Sequence, residues 1–171
     1  MSEAPTPKRG IDRLLDVVRR LRGEGGCPWD REQTLATLKP FLIEEAYELC
    51  EAVDSGDPGQ HAEELGDVLL QVVLQTQIRT EEQRFDFDDV AGRLADKLIR
   101  RHPHVFGTVQ SETAGDVVRN WQAIKAAEKG KPTGDAPPSL LDLDGIPKQL
   151  PALLKAQRIQ SRVARVGFDW N

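Results

Sequence analysis

Two short segments place carboxylates where helices normally keep apolar side chains. In "FLIEEAYELCEAVD", residues 41–54, Glu45 and Glu48 lie three apart, and in "EELGD", residues 63–67, Glu64 and Asp67 repeat that offset. Residues three apart on a helix share a face. The first pair shares its face with Leu38, Phe41 and Ala52, with Leu49 beside it, while Gln71 and Gln75 extend the face of the second. Four carboxylates gathered together raise one another's pKa values and destabilise a fold. A hard divalent cation removes that conflict, because Mg²⁺ prefers oxygen ligands and leaves positions for water or phosphate oxygens. Spacing alone leaves two readings open for these four residues, a metal site or ordinary surface glutamates on amphipathic helices. For Glu51 and Glu63 the surface reading is taken. A di-iron bundle requires Glu-x-x-His pairs, and His61 has the wrong spacing for one.

A second constellation is cationic. "DKLIRRHPH", residues 96–104, holds Lys97 and Arg101 at an i, i+4 offset, with Arg100 and His102 alongside. Such a group suits the negative end of a helix macrodipole with no ligand at all. It also suits phosphoryl oxygens, which guanidinium and ammonium groups neutralise and orient. Taken alone the macrodipole is sufficient; beside a carboxylate groove, a cationic patch is what a metal–polyphosphate substrate requires. Trp121, in "RNWQAIKAAEK", offers a ring that stacks on a base or packs internally. Trp29 follows Pro28 and reads as a structural plug. No Walker lysine follows the glycines of "GEGG", and no nucleophile elbow or Ser–His–Asp set is present. Any hydrolytic chemistry therefore points to a metal-activated water as nucleophile.

The elements that position these residues read as helices throughout. Leu14, Leu15, Val17, Val18 and Leu21 give a helical period over 11–22. Asp30 and Gln33 have the form of a capping box, predicting a helix start near Arg31. Lys39-Pro40 kinks or divides that helix, which then continues to about Val53. "DSGDPGQ" is a turn, so the next helix, His61 to Glu82, lies antiparallel to its neighbour, and both carboxylate pairs face one groove. Leu65, Val68, Leu69, Val72, Val73 and Ile78 supply its apolar side. Asp86 or Asp88 caps a further helix that Pro103 stops. Thr113 to Lys129 is another helix, and Gln149 to Val166 a final amphipathic one. The expected organisation is a tail over 1–10, an all-α helical bundle over 11–129, a Pro- and Gly-rich linker over 130–148, and a tethered C-terminal helix and tail over 149–171.

Composition agrees. Hydrophobic content of 39% supports a core, and aromatic content of 5% with few β-branched runs favours helices. The net charge of −5 argues against gripping nucleic acid or anionic membrane. No apolar run reaches membrane-spanning length, and "MSEAPTPKRG" lacks a hydrophobic signal core. Cys27 and Cys50 have neither zinc nor redox spacing and read as buried or half-buried thiols in a reducing cytoplasm.

Together, "CPWDREQT", "LIEEAYELCEAVD", "AEELGDVLLQVV", "RFDFDDV", "DKLIRRHPHVFG", "NWQAIKAAEK" and "LPALLKAQRIQSRVARVGFDW" resemble the MazG family of nucleoside triphosphate pyrophosphohydrolases, from about Ile11 to Trp170. The resemblance implies an all-α NTP pyrophosphatase fold, a homodimer or higher homo-oligomer, and Mg²⁺, with Mn²⁺ as a substitute. It implies the reaction NTP plus water to NMP plus pyrophosphate. By motif, Glu45 and Glu48 match a first metal pair and Glu64 and Asp67 a second, and Glu44 assists a ligand or orients the water. Lys97 and Arg101 match positions that contact phosphates, with Arg100 beside them. Trp121 matches a tryptophan at the nucleotide site, and Phe41 sits one turn before Glu45. Gln60 stands where some members carry lysine, and Leu35 where many carry histidine. Longer members hold two such domains, so the chain reads as a one-domain member or an N-terminal half. The rival expectation is a non-catalytic helical module that binds metal or nucleotide without turnover.

Overall fold

The structure is a computed structural model, and it describes residues 9–109, 113–128, 146–164 and 167–168. Every element among the described residues is helical, as an all-α chain requires. The chain divides into two compact units, Met1–Leu98 and Ile99–Asn171.

The first unit opens with α1, Gly10–Arg22, and α2, Pro28–Glu32. Pro28 occupies the start of α2, where its fixed φ suits a helix and its missing N–H is not needed. This corrects the expected start near Arg31. Asp30 sits inside α2, and its carbonyl accepts from the Gln33 N–H at 3.3 Å where the helix ends. Between α1 and α2 the glycines of "GEGG" close a tight turn. A Cβ on Gly26 would fall 2.2 Å from the Leu21 carbonyl oxygen, so only glycine fits there.

Next come α3, Leu38–Ser55, and α4, Pro58–Glu81, joined through Gly56 and Asp57. The expected helix from near Arg31 to about Val53 is divided, but at residues 33–37 and not at Pro40, which leaves α3 continuous. Pro40 lies in the first turn, where a backbone N–H has no partner to lose. Gly56 ends α3 at φ 71°, a left-handed conformation that suits glycine. Asp57 caps α4 by accepting from the Gly59 N–H at 2.7 Å, which starts that helix before the expected His61. A connection this short forces α3 and α4 to pack antiparallel. After α4 comes α5, Phe87–Arg101, whose last residues cross into the second unit. Asp86 and Asp89 cap it reciprocally at 2.9 and 3.1 Å, which settles the choice between Asp86 and Asp88.

The core of this unit is Val18, Leu38, Val73, Leu74 and Ile78, with Leu14, Leu15, Leu35, Phe41, Leu70 and Phe87 packed against it. Each fully buried aliphatic side chain contributes about 1.5–3 kcal/mol. Leu65 and Leu69, expected on the apolar side of α4, are exposed, whereas Val73 and Ile78 of the same expected set are buried in the core. Arg22 locks the periphery: its side chain, 6% exposed, donates to both Glu81 oxygens at 2.8 and 3.0 Å and to the carbonyls of Asp30 and Gln33. Those hydrogen bonds hold the Glu81 carboxyl below its ordinary pKa. Cys27 is half-buried and Cys50 exposed, both as free thiols, so the expectation of burial fails for Cys50, which lies on the outer side of α3.

In the second unit, α6, Pro103–Phe106, follows α5 directly: Pro103 ends one helix and opens another. Then come α7, Ala114–Glu128, and α8, Ala152–Ala164. Thr113 and Asp116 cap α7, Thr113 Oγ1 accepting from the Asp116 N–H at 3.2 Å and Asp116 accepting from the Thr113 N–H at 3.1 Å. Lys129, residues 130–145 of the expected linker, the first eight residues of the tail, and Arg165 and Val166 lie outside the described residues. Among the described residues, no helix is long and apolar enough to cross a membrane.

Candidate metal centre

The antiparallel packing of α3 on α4 decides the geometry of the acidic pairs. Glu45, Glu48 and Glu64 each present an oxygen within 4.8 Å of the others. An ion with ligand bonds of roughly 2.1–2.6 Å bridges oxygens up to about 4–5 Å apart, so one cation is within reach of all three. Glu45 and Glu64 are half-buried and Glu48 is exposed. Asp67, one turn beyond Glu64, is half-buried next to this group.

The electrostatics are those of crowded like charges. Desolvation pushes the Glu45 carboxyl above its ordinary pKa, and Asp67, Glu48, Glu64 and Glu44 push it further, in that order. Glu64 is raised the same way, by desolvation first and then by Glu48, Asp67 and Glu63. One Glu64 oxygen, Oε2, is buried with no hydrogen-bond partner. A buried acceptor left without a donor is costly, and a cation is the partner its chemistry asks for. The all-oxygen donor set and this orphaned atom both fit a hard divalent ion. Glu44 and Glu51 are exposed and stand outside the three-residue cluster, as does exposed Glu63.

Beyond the acidic group, Gln71 is buried on α4 at 5% exposure, and its Oε1 also lacks a partner. It stands seven residues after Glu64, two turns along the same face. Phe41 lies half-buried against the core, its ring meeting Trp29 edge-on at 5.8 Å. Trp29 is 53% exposed, so it is no buried plug; it shields one side of Phe41 and leaves its own outer face open.

Of the expected cationic residues, Lys97 is half-buried on α5 within the first unit. Arg100 and Arg101 belong to the second, where both donate to the Glu128 carboxylate. Trp121 carries the Arg101 guanidinium 5.5 Å from its ring centroid and the Lys125 ammonium 4.8 Å from it. Lys125 and Glu128 were assigned no part by sequence reasoning. The i, i+4 spacing of Trp121 and Lys125 was a usable signal, but the partners of Glu128 lie 27 and 28 residues away and left none.

Comparison with known proteins matches residues 33–106 to the MazG nucleotide pyrophosphohydrolase domain, the segment that holds both acidic pairs. Residues 33–106 are thus similar to a MazG nucleotide pyrophosphohydrolase domain. It is 48% identical over 161 residues to the nucleoside triphosphate pyrophosphohydrolase of Escherichia coli K12, covering 94% of this chain and 59% of that protein. It is 46% identical over 160 residues to the nucleoside triphosphate pyrophosphohydrolase/pyrophosphatase MazG of Thermotoga maritima, again over 94% of this chain and 59% of the relative. With the nucleoside triphosphate pyrophosphohydrolase of Mycobacterium tuberculosis it shares 38% identity over 170 residues, 96% of this chain and 49% of the relative. The MazG-like chain thus spans about half to three fifths of the length of these curated relatives.

Proposed function

We propose that this chain is a Mg²⁺-dependent nucleoside triphosphate pyrophosphohydrolase, converting NTP and water to NMP and pyrophosphate in the housekeeping of a cytoplasmic nucleotide pool. The observation that carries the reading is the acidic trio with its buried, unpartnered Glu64 oxygen. The names of the relatives supply the reaction class.

In this reading Glu45, Glu48, Glu64 and Asp67 hold the divalent ion, Mg²⁺ or Mn²⁺ in its place. When bound, the cation supplies Lewis-acid polarisation of a phosphoryl oxygen and lowers the pKa of a coordinated water. Glu44, exposed beside Glu45, is free to orient that water or to accept its proton. Lys97, Arg100 and Arg101 meet the charge of the triphosphate and of the departing pyrophosphate. Phe41 and Trp121 offer aromatic surfaces to the nucleoside. The exposed Leu42, Ile43, Tyr47, Leu65 and Leu69 on α3 and α4 support association into a homodimer or higher homo-oligomer.

One alternative is a regulatory or interaction domain that binds metal or nucleotide without turnover. Incubation with Mg²⁺ and a panel of nucleotides, scoring pyrophosphate against orthophosphate, separates the two. Pyrophosphate release supports the hydrolase, whereas binding with no release of either product supports the alternative and sinks the first reading.

A further inference from the structure

The second unit holds a charge arrangement that the metal chemistry leaves unused. Glu128, in the last turn of α7, is gripped by two guanidinium groups. Arg100 Nε donates to its Oε1 at 2.7 Å, while Arg101 donates through Nε and Nη2 to its Oε2 at 3.2 and 2.5 Å. The Glu128 and Arg101 side chains keep 22% and 18% of their surface exposed and Arg100 keeps 54%, so the cluster lies at the surface, within reach of a dissolved anion. A carboxylate at a helix C-terminus is placed against the macrodipole, and α7 itself has no use for it there. One anion answers two arginines, and Lys125 adds a third cation on the far partner of Arg101, the Trp121 ring.

We propose that Glu128 is an internal stand-in for a substrate phosphate, and that a polyphosphate must displace its carboxylate to reach Arg100 and Arg101. The proposal rests on the assignment of those arginines to phosphate binding made above. A guanidinium fork donates to carboxylate and phosphate oxygens in the same geometry, so the two anions compete for one position. An ion pair open to water is held only weakly, which makes the exchange feasible. A di- or triphosphate brings several charges against the single one of Glu128, whereas a monoanion brings no advantage. Glu128 therefore acts as a charge filter, favouring triphosphate over small monoanions.

The opposite role is that Glu128 organises the arginines for substrate, and the two roles predict opposite signs. Inorganic tripolyphosphate titrated into the metal-free full chain, followed by calorimetry, tests them without involving the carboxylate centre. Glu128→Gln keeps the side-chain shape and removes the charge. It is expected to bind tripolyphosphate about 3- to 5-fold more tightly than the natural chain, the range of an exposed ion pair. KM for a nucleoside triphosphate should fall by the same factor, with kcat within about twofold of the natural value. Unchanged or weaker tripolyphosphate binding overturns the proposal. If Glu128→Gln does not fold by circular dichroism, Glu128→Asp decides. It withdraws the carboxylate by one methylene, so tighter binding supports displacement and equal or weaker binding rejects it. Absence of nucleotide turnover in the natural chain, with tighter tripolyphosphate binding in the variant, would reject the hydrolase reading alone.

Discussion

The carboxylates at the α3–α4 groove and the carboxylate of Glu128 are the same functional group in opposite circumstances. At the groove, Glu45, Glu48 and Glu64 crowd together with Asp67 near, and the pKa values of Glu45 and Glu64 are both pushed upward. At the end of α7, Glu128 lies between two guanidinium groups, whose hydrogen bonds hold it down at about 2. One region is a set of like charges with a buried oxygen left over; the other is closed on itself by opposite charge. A site built to take a cation from solution must be left electrically incomplete by the protein, whereas a site built to take an anion can be kept by an internal one. The contrast teaches that unsatisfied charge is the better guide to where an external ion is needed.

The sharpest way to break this contrast is Glu64→Gln. Mg²⁺-dependent pyrophosphate release should drop by at least about 100-fold, because even partners behind the ligands commonly cost 10–100-fold. The same variant, with no metal present, should melt at a higher temperature than the natural chain, since a repelling charge is gone. Wild-type turnover in Glu64→Gln would remove the groove from the chemistry. The next effect in size is stabilisation by Mg²⁺ itself. At a hundredfold excess over its Kd, a single site should add about 2.7 kcal/mol to the unfolding free energy, read as a Mg²⁺-dependent rise in Tm. Glu64→Gln should lose most of that rise, and a natural chain whose Tm ignores Mg²⁺ has no such site.

The smallest effects are the opposed pH dependences. Glu45 and Glu64 have folded-state values above the ordinary 4.5, so their contribution to stability is present at lower pH and is lost as pH climbs through the raised values. Glu128 behaves in reverse: its contribution is present above about 4.5 and is lost as pH falls towards about 2. Denaturant titrations of the metal-free chain from acid to neutral pH should show the first slope, and Mg²⁺ should flatten it. Glu128→Gln should flatten only the acid limb. A slope above the ordinary carboxylate range that persists in Glu45→Gln/Glu64→Gln would assign it to other groups.

How much of this was legible beforehand depended on the range of the interaction. The helical character of α1 and α4 came from apolar periodicity, that of α5 from an aspartate cap and the Pro103 stop, and the acidic faces came from a three-residue offset. The local surprises had local causes. Pro28 started α2 earlier than the Asp30–Gln33 pattern suggested, and Pro40 proved harmless because it fell in a first turn. Trp29 stayed half-exposed despite its size, since its ring finds Phe41 at only one edge. By contrast, nothing near Glu128 in the chain announces Arg100 and Arg101, and nothing near Arg22 announces Glu81.

The chain's own order of residues therefore determined the helices, their caps, the pairing of acidic side chains within each helix, and the MazG likeness. These depend on neighbours three or four residues apart, which the backbone brings together by itself. Only the tertiary structure decided that Glu64 joins Glu45 and Glu48 with one oxygen unpartnered, and that Glu128 occupies the arginines. Desolvation and charge proximity arise when one helix packs on another, and no spacing within a single helix can encode them.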